Sequence, residues 1–378
     1  MTISQRTLIG AALSWLAILL SGCGGSAAPA PAATPASSPA ASAASSTGNP
    51  GSTPASSAQP ASSSAKPAAA APAGGPESIK ISYVQPAGGF APLWIAQDQG
   101  LFKKYGLNTE VVHLPPPSDT QALISGDVQF IVAGSAGIGA MANGADVPYI
   151  AVTAPVYLQP LYSQPSVATI ADLVGKKVAV TTKGGPAELA LLTLLKRAGV
   201  EPSGVNIVYL RDDATNLAAL ESGQVQAAII TSPNTLVARQ AGLRLLQDLA
   251  PLKLPTLTQG LEVRRDWAVQ HQAAVQNFLK AYLEGIKDMK TDKALAESTI
   301  SKWTTVTDQA MLDESYTSTT AGVAAYPLAH DDSIQNVIDL SADPKVKSHP
   351  PSYYYDNSYL EKLQDFMHGL YPQGIPSV

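Results

Sequence analysis

From residue 77 onward the chain alternates between two hydrophobic patterns. Strand-length stretches rich in Val, Ile, Ala and Tyr occur at 79–84, 109–113, 130–133, 148–153, 177–181 and 227–230. The runs at 130–133 and 227–230 are continuously apolar, as strands covered on both faces would be. Between them lie stretches with helical spacing. Residues 186–198 carry Leu189, Leu192 and Leu195 on one face, with Lys196 and Arg197 in the last turn and Gly199 after it. That order suits the macrodipole and a glycine C-cap. Pro92 and Gly100 bracket a helix over 93–99. Further helices are predicted at 267–289, capped by Asp266, and at 358–368, capped by Asp356. Alternating strands and helices predict an α/β fold with mostly parallel sheets.

The pattern is also duplicated. Residues 122–135, ALISGDVQFIVAGS, return 97 positions later at 219–232 as ALESGQVQAAIITS, with seven of fourteen positions identical. Each copy reads as a helix end, a glycine (Gly126, Gly223) suited to a left-handed cap, a buried strand and a small polar exit. A second pair of segments keeps nearly the same offset: 79–84 followed by Gly88-Gly89, and 177–181 followed by Gly184-Gly185. Two copies are too few for a solenoid. They predict two similar lobes, each a central mostly parallel sheet flanked by helices. Open parallel sheets bind ligands at the carboxyl ends of their strands, so the four loops predict a cleft between the lobes.

Composition divides the chain in three. Arg6 and the apolar run 8–20 read as an export signal, too short to span a membrane comfortably. Residues 24–76 are almost entirely Ala, Ser, Pro, Thr and Gly, with one charge, Lys66. Such a stretch cannot offset its own ordering entropy and reads as a tether of roughly 40 Å. Residues 77–378 form the folded body, long enough for two lobes. The formal net charge is −5 without a basic block, which argues against nucleic-acid binding. The five histidines are scattered without ligand spacing, so no metal is expected. Neither glycine loop fits a nucleotide-binding P-loop, and no Gly-x-Ser-x-Gly elbow occurs.

Several segments, in order, resemble a known family. GLFKKYGLNTEVV at 100–112, SGDVQFIVAGSAG at 125–137, DLVGKKVAV at 172–180, LLKRAGV at 194–200 and YDNSYL at 355–360 are similar to motifs of periplasmic substrate-binding proteins of ABC importers. The nearest group is the sulfonate, nitrate, taurine and thiamine-precursor type. Leu20-Ser21-Gly22-Cys23 resembles a bacterial lipobox, in which the cysteine is lipidated; a plain cleaved signal is the other reading. The resemblance implies a two-lobed type II binding-protein fold: signal 1–22, lipidated Cys23 and linker to 76, first lobe 77–155, second lobe 156–250, and a return crossing with C-terminal helices over 251–378. A hinge strand is expected near 153–162. The implied partners are a small-molecule solute, a permease with its ATPase, and the membrane through Cys23. A monomer, no cofactor, no catalysis and no nucleic acid are expected. The alternatives are an enzyme on the same fold, of thiamine-pyrimidine or menaquinone-pathway type, and a sensory binding protein.

Candidate ligand contacts follow from the loops. Gly88, Gly89, Gly184 and Gly185 precede helix N-termini, whose free N–H groups favour anions or carbonyl acceptors; otherwise they are tight turns. Ser135, preceded by Gly134, and Ser232 sit at equivalent strand exits, for ligand contact or helix capping. Thr153, Thr182 and Asn234 add polar groups, and Phe90 and Tyr157 offer rings for stacking. Arg211-Asp212-Asp213 is read as satisfying its own charges. Without an arginine cluster, a strongly anionic ligand is disfavoured.

Overall fold

The computed structural model describes residues 76–377. The export signal, Cys23 and the tether up to residue 75 lie outside them. Ten strands are present among these residues: β1 (Glu77–Tyr83), β2 (Leu107–His113), β3 (Phe130–Ala133), β4 (Tyr149–Val156), β5 (Leu161–Ser163), β6 (Lys177–Val180), β7 (Asn206–Tyr209), β8 (Ala227–Ile229), β9 (Arg244–Gln247) and β10 (Pro255–Val263). They form two five-stranded sheets, ordered β2-β1-β3-β10-β4 and β7-β6-β8-β5-β9. In each sheet the first three strands are parallel, and the fourth runs antiparallel to both its neighbours. That fourth strand comes from a crossing: β5 follows the first passage between sheets, and β10 follows the return. β4 and β10 pair antiparallel next to the two crossings, and their register breaks repeatedly between Pro255 and Glu262.

The duplicated residues have a common structural task. Gln129 accepts from the Lys80 backbone N–H at 2.8 Å and donates to Gly126 O at 3.0 Å. Gln226 does the same with Lys177 N and Gly223 O, at 3.1 and 3.2 Å. Each glutamine clips a helix end to a neighbouring strand start, where the ladder leaves a donor and a carbonyl unpaired. Gly126 takes φ 88° as the left-handed cap. In the second copy Ser222 is the C-cap, and Gly223 follows at φ 73°.

The helices that position the site are α1 (Ala91–Asp98), α2 (Ser118–Ser125), α3 (Gly137–Ala142), α4 (Pro186–Arg197), α5 (Asp213–Glu221), α6 (Asn234–Gln240), α7 (Gln272–Thr291), α8 (Gln309–Gly322) and α9 (Asp331–Leu340). The predicted helix over 267–289 is broken at His271. Its ring stacks on Trp267 at 4.5 Å and its Nδ1 contacts Glu77, so His271 leaves the helical conformation (φ −120°, ψ 40°). Asp266 is not the cap; the helix Arg265–Gln270 starts after Arg264, and Asp266 pairs with that arginine. The helix expected over 358–368 is likewise two pieces, Ser358–Glu361 and Gln364–Leu370.

The chain after β10 returns to the first sheet. Phe278 of α7 stacks on Phe130 with centroids 3.9 Å apart, and α1 packs along α7. The apolar face of α9, Ile334, Val337 and Ile338, is buried where α9 meets both β10 and α4. This helix therefore touches both halves of the body. No helix of the described residues is long and apolar enough to cross a membrane.

Candidate functional site

The carboxyl ends of the parallel strands face one another across a cavity of about 150 Å³. A cavity of about this size holds a benzene-sized molecule. Its wall comes from all four exit loops: Gly89 and Phe90 after β1, Gly134 and Gly137 after β3, Thr181 and Thr182 after β6, Thr231 and Ser232 after β8. The link between β4 and β5 adds Gln159, β10 adds Thr258 and Gln259, and α8 adds Ser318 and Thr319.

The two halves touch around this cavity, so the protein is in a closed form. Ser135 Oγ donates to Gly184 O at 2.7 Å, and Ser232 Oγ meets Ser315 Oγ of α8 at 3.2 Å. A Cβ on Gly134 would collide with the Pro186 ring, so only glycine lets these two loops approach. At the rim, Arg239 and Thr235 of α6 both bond to Glu314 of α8, and Arg239 also donates to Tyr162 Oη.

The electrostatics of the wall are acidic inside and basic only at the mouth. Asp119 and Asp213 line the cavity and are 2% and 7% exposed. Burial raises both carboxyls, Asp213 to about 6 despite the bonds it accepts from Thr231 N and Oγ1. Behind Gly137 lies Glu262, fully buried. Burial first, and then the charge of Asp119, push its carboxyl well above the usual range. Arg211 lines the mouth, exposed, in a left-handed conformation at φ 74°. The expectation that Arg211-Asp212-Asp213 neutralise one another fails. Asp212 caps α5 through Thr215 N, and Asp213 turns inward to Thr231.

The glycine loop before α4 already has a carboxyl group bonded to it. Glu188, on the first turn of α4, accepts from Gly184 N with one oxygen and from Tyr209 Oη with the other. Burial, with the bond to Glu188, raises the Tyr209 hydroxyl strongly.

Residues 88–294 match the model of the family described as NMT1/THI5 like. The chain belongs to that family. A provisionally named binding protein of Brucella abortus (strain 2308) is 26% identical over 219 residues, 56% of this chain and 67% of its own. The periplasmic aliphatic sulphonate binding protein SsuA of Escherichia coli matches with a TM-score of 0.62 at 24% identity, over 74% of this chain and 92% of its own. The periplasmic nitrate-binding protein NrtA of Synechocystis PCC 6803 matches with a TM-score of 0.66 at 15% identity, over 80% and 91%. This NMT1/THI5 like chain thus has the two-lobed α/β binding-protein fold that its sequence pattern predicts.

Of the residues expected to contact ligand, Gly89, Phe90, Gly134, Thr182 and Ser232 line the cavity. Phe90 is 4% exposed, and its ring also packs against Tyr83 and Trp94. The others lie elsewhere. Ser135 and Gly184 are bonded to each other, and Gly185 folds back on Thr182 O. Gly88 sits under Thr319, where a Cβ would come within 2.8 Å of the hydroxyl. Thr153 is buried and donates to Gln259 Oε1, setting a side chain that does line the wall. Tyr157 is fully buried, its hydroxyl shared among Thr193, Leu189 O and Asn336, so it cannot stack on a solute. Asn234 opens α6 away from the wall.

The sequence reading missed Asp119, Gln159, Gln259 and the hydroxyls of α8. One signal was available: Ser315, Thr317, Ser318, Thr319 and Thr320 crowd one helix, an unfavourable composition for a helix interior. Among the described residues, no group of three or more His, Cys, Asp or Glu could hold a metal ion.

Proposed function

We propose that this chain is an exported solute receptor that hands a compact organic molecule to an ABC importer. The observation that carries the reading is the closed cavity itself. Its wall is assembled from both sheets, and polar contacts between the halves ring it. Such a site exists only when the halves meet, so a solute touching both walls favours closure by its differential affinity. The binding-protein titles of the relatives support this role. The sulphonate and nitrate named in two of them set the class of small solute, not its identity. The periplasmic location named for both relatives supports export, and the lipobox-like Leu20-Ser21-Gly22-Cys23 supports a lipid anchor on Cys23. A permease and its ATPase are the partners of this reading.

The test uses the full chain with a donor and an acceptor dye on the two lobes. It is screened against alkanesulfonates, nitrate, aminopyrimidines, flavins and amino acids. The expected outcome is one class that raises both Tm and interlobe energy transfer and is recovered chemically unchanged. At 100 times its dissociation constant such a solute adds about 2.7 kcal/mol. A compound consumed on incubation would instead make the chain an enzyme. Ligand binding without any change in interlobe distance would remove the closure mechanism.

A further inference from the structure

We infer that Asp119, with Glu262 behind it, is the recognition point for a positively charged nitrogen group on the solute. The inference rests on the receptor reading and names the chemistry its cavity selects. Asp119 stands on the first turn of α2, lines the cavity and is 2% exposed. Its side chain accepts from the Thr120 hydroxyl at 3.4 Å, with the backbone N–H groups of Asp119 and Thr120 close by. A buried carboxylate normally takes two or three strong donors or a cation. Asp119 has only these local contacts and no cation, and it lines the cavity.

Glu262 is the independent observation. It is fully buried on β10, and both its oxygens lack a hydrogen-bond partner. The neighbouring Tyr149 hydroxyl gives its proton to Gly134 O at 2.6 Å, so it offers Glu262 an acceptor and no donor. Glu262 presses against Gly137, a residue of the cavity wall, where a Cβ would collide with Oε2. The same Cβ would also meet the Tyr149 hydroxyl, so only glycine lets the wall pack this closely on Glu262. Neither carboxyl ionises easily in so buried a place, and each makes ionisation of the other costlier. A cation at the wall would let Asp119 carry its charge. Arg211 cannot do so from the exposed mouth, and its place there leaves the interior without a resident positive group.

The test compares benzylamine, benzyl alcohol and benzenesulfonate, one ring with three head groups, by calorimetry on the full chain. A charge-assisted contact in a buried wall should make the amine bind about tenfold tighter than the alcohol, with the sulfonate weakest. Asp119→Asn should bring amine and alcohol to near parity. Glu262→Gln, which touches no solute, should narrow the gap only in part. In the solute-free protein neither variant should lower Tm, since each removes an uncompensated buried carboxyl; a purely structural role would lower it. The inference is overturned if the sulfonate binds best, if the amine preference survives Asp119→Asn, or if none of the three binds. The receptor reading stands or falls separately, on lobe closure with the wider panel.

Discussion

At the scale of single residues, part of the repeated sequence has a structural task in both copies. Gln129 and Gln226 are identical in the two copies because each clips a helix end to a strand start. Replacing either by alanine strands two backbone groups and should cost about 1–2 kcal/mol. In a body this size that is a fall of about 2–4 °C in Tm. Because they serve different sheets, the double variant should show the sum, measured by thermal unfolding. Asp213 gives a second expectation. Its folded carboxyl titrates near 6 because it is buried, whereas an unfolded aspartate titrates near 3.9. The folded state binds that proton more tightly, so the contribution to stability is complete below about pH 4. It is lost as pH rises through about 6. Tm of Asp213→Asn relative to the parent should therefore climb between pH 4 and pH 7; a constant difference would show that Asp213 does not titrate in this window. Residue roles of this kind were not legible in the sequence, because Asp119 and Asp213, with Glu262 behind the wall, are brought to one cavity by elements far apart in the chain.

Elements were read more reliably where local chemistry decides them. The strands β3, β6 and β8 and the helix α4 stand within a residue or so of their predicted bounds, since continuous apolar runs and capped amphipathic stretches need little tertiary help. The helix over 267–289 failed at His271 because a stacking partner, Trp267, and Glu77 from β1 override helical propensity there. The role of α8 was invisible for the same reason: it is decided by what the helix lies against. Glu314 of α8 pairs with Arg239 of α6 across the rim, with side chains 21% and 45% exposed. An ion pair so accessible is worth at most about 1 kcal/mol, roughly a fivefold bias toward the closed form. Glu314→Gln should lower interlobe energy transfer in the solute-free chain at low salt. Added salt should bring the parent down to the variant. Equal transfer at all salt concentrations would show that the pair does not hold the halves together.

At the scale of the whole molecule, the duplication offset of 97 residues was enough to foresee two like sheets facing across a cleft. It could not foresee that each sheet takes its fourth strand from a crossing, because β5 and β10 have no counterpart in the repeat. Nor could it foresee which loop groups the closed form would use up: Ser135 and Gly184 look open to solvent in sequence and are spent on each other in the fold. The same holds for Gly184 N in the loop before α4, which the chain pairs with its own Glu188. Chloride, sulfate and phosphate commonly outnumber any scarce organic nutrient outside a cell. A receptor with an open cradle for negative charge would spend much of its time occupied by them. With the Glu188 carboxyl tethered to Gly184 N, the second lobe has one donor fewer to offer this background.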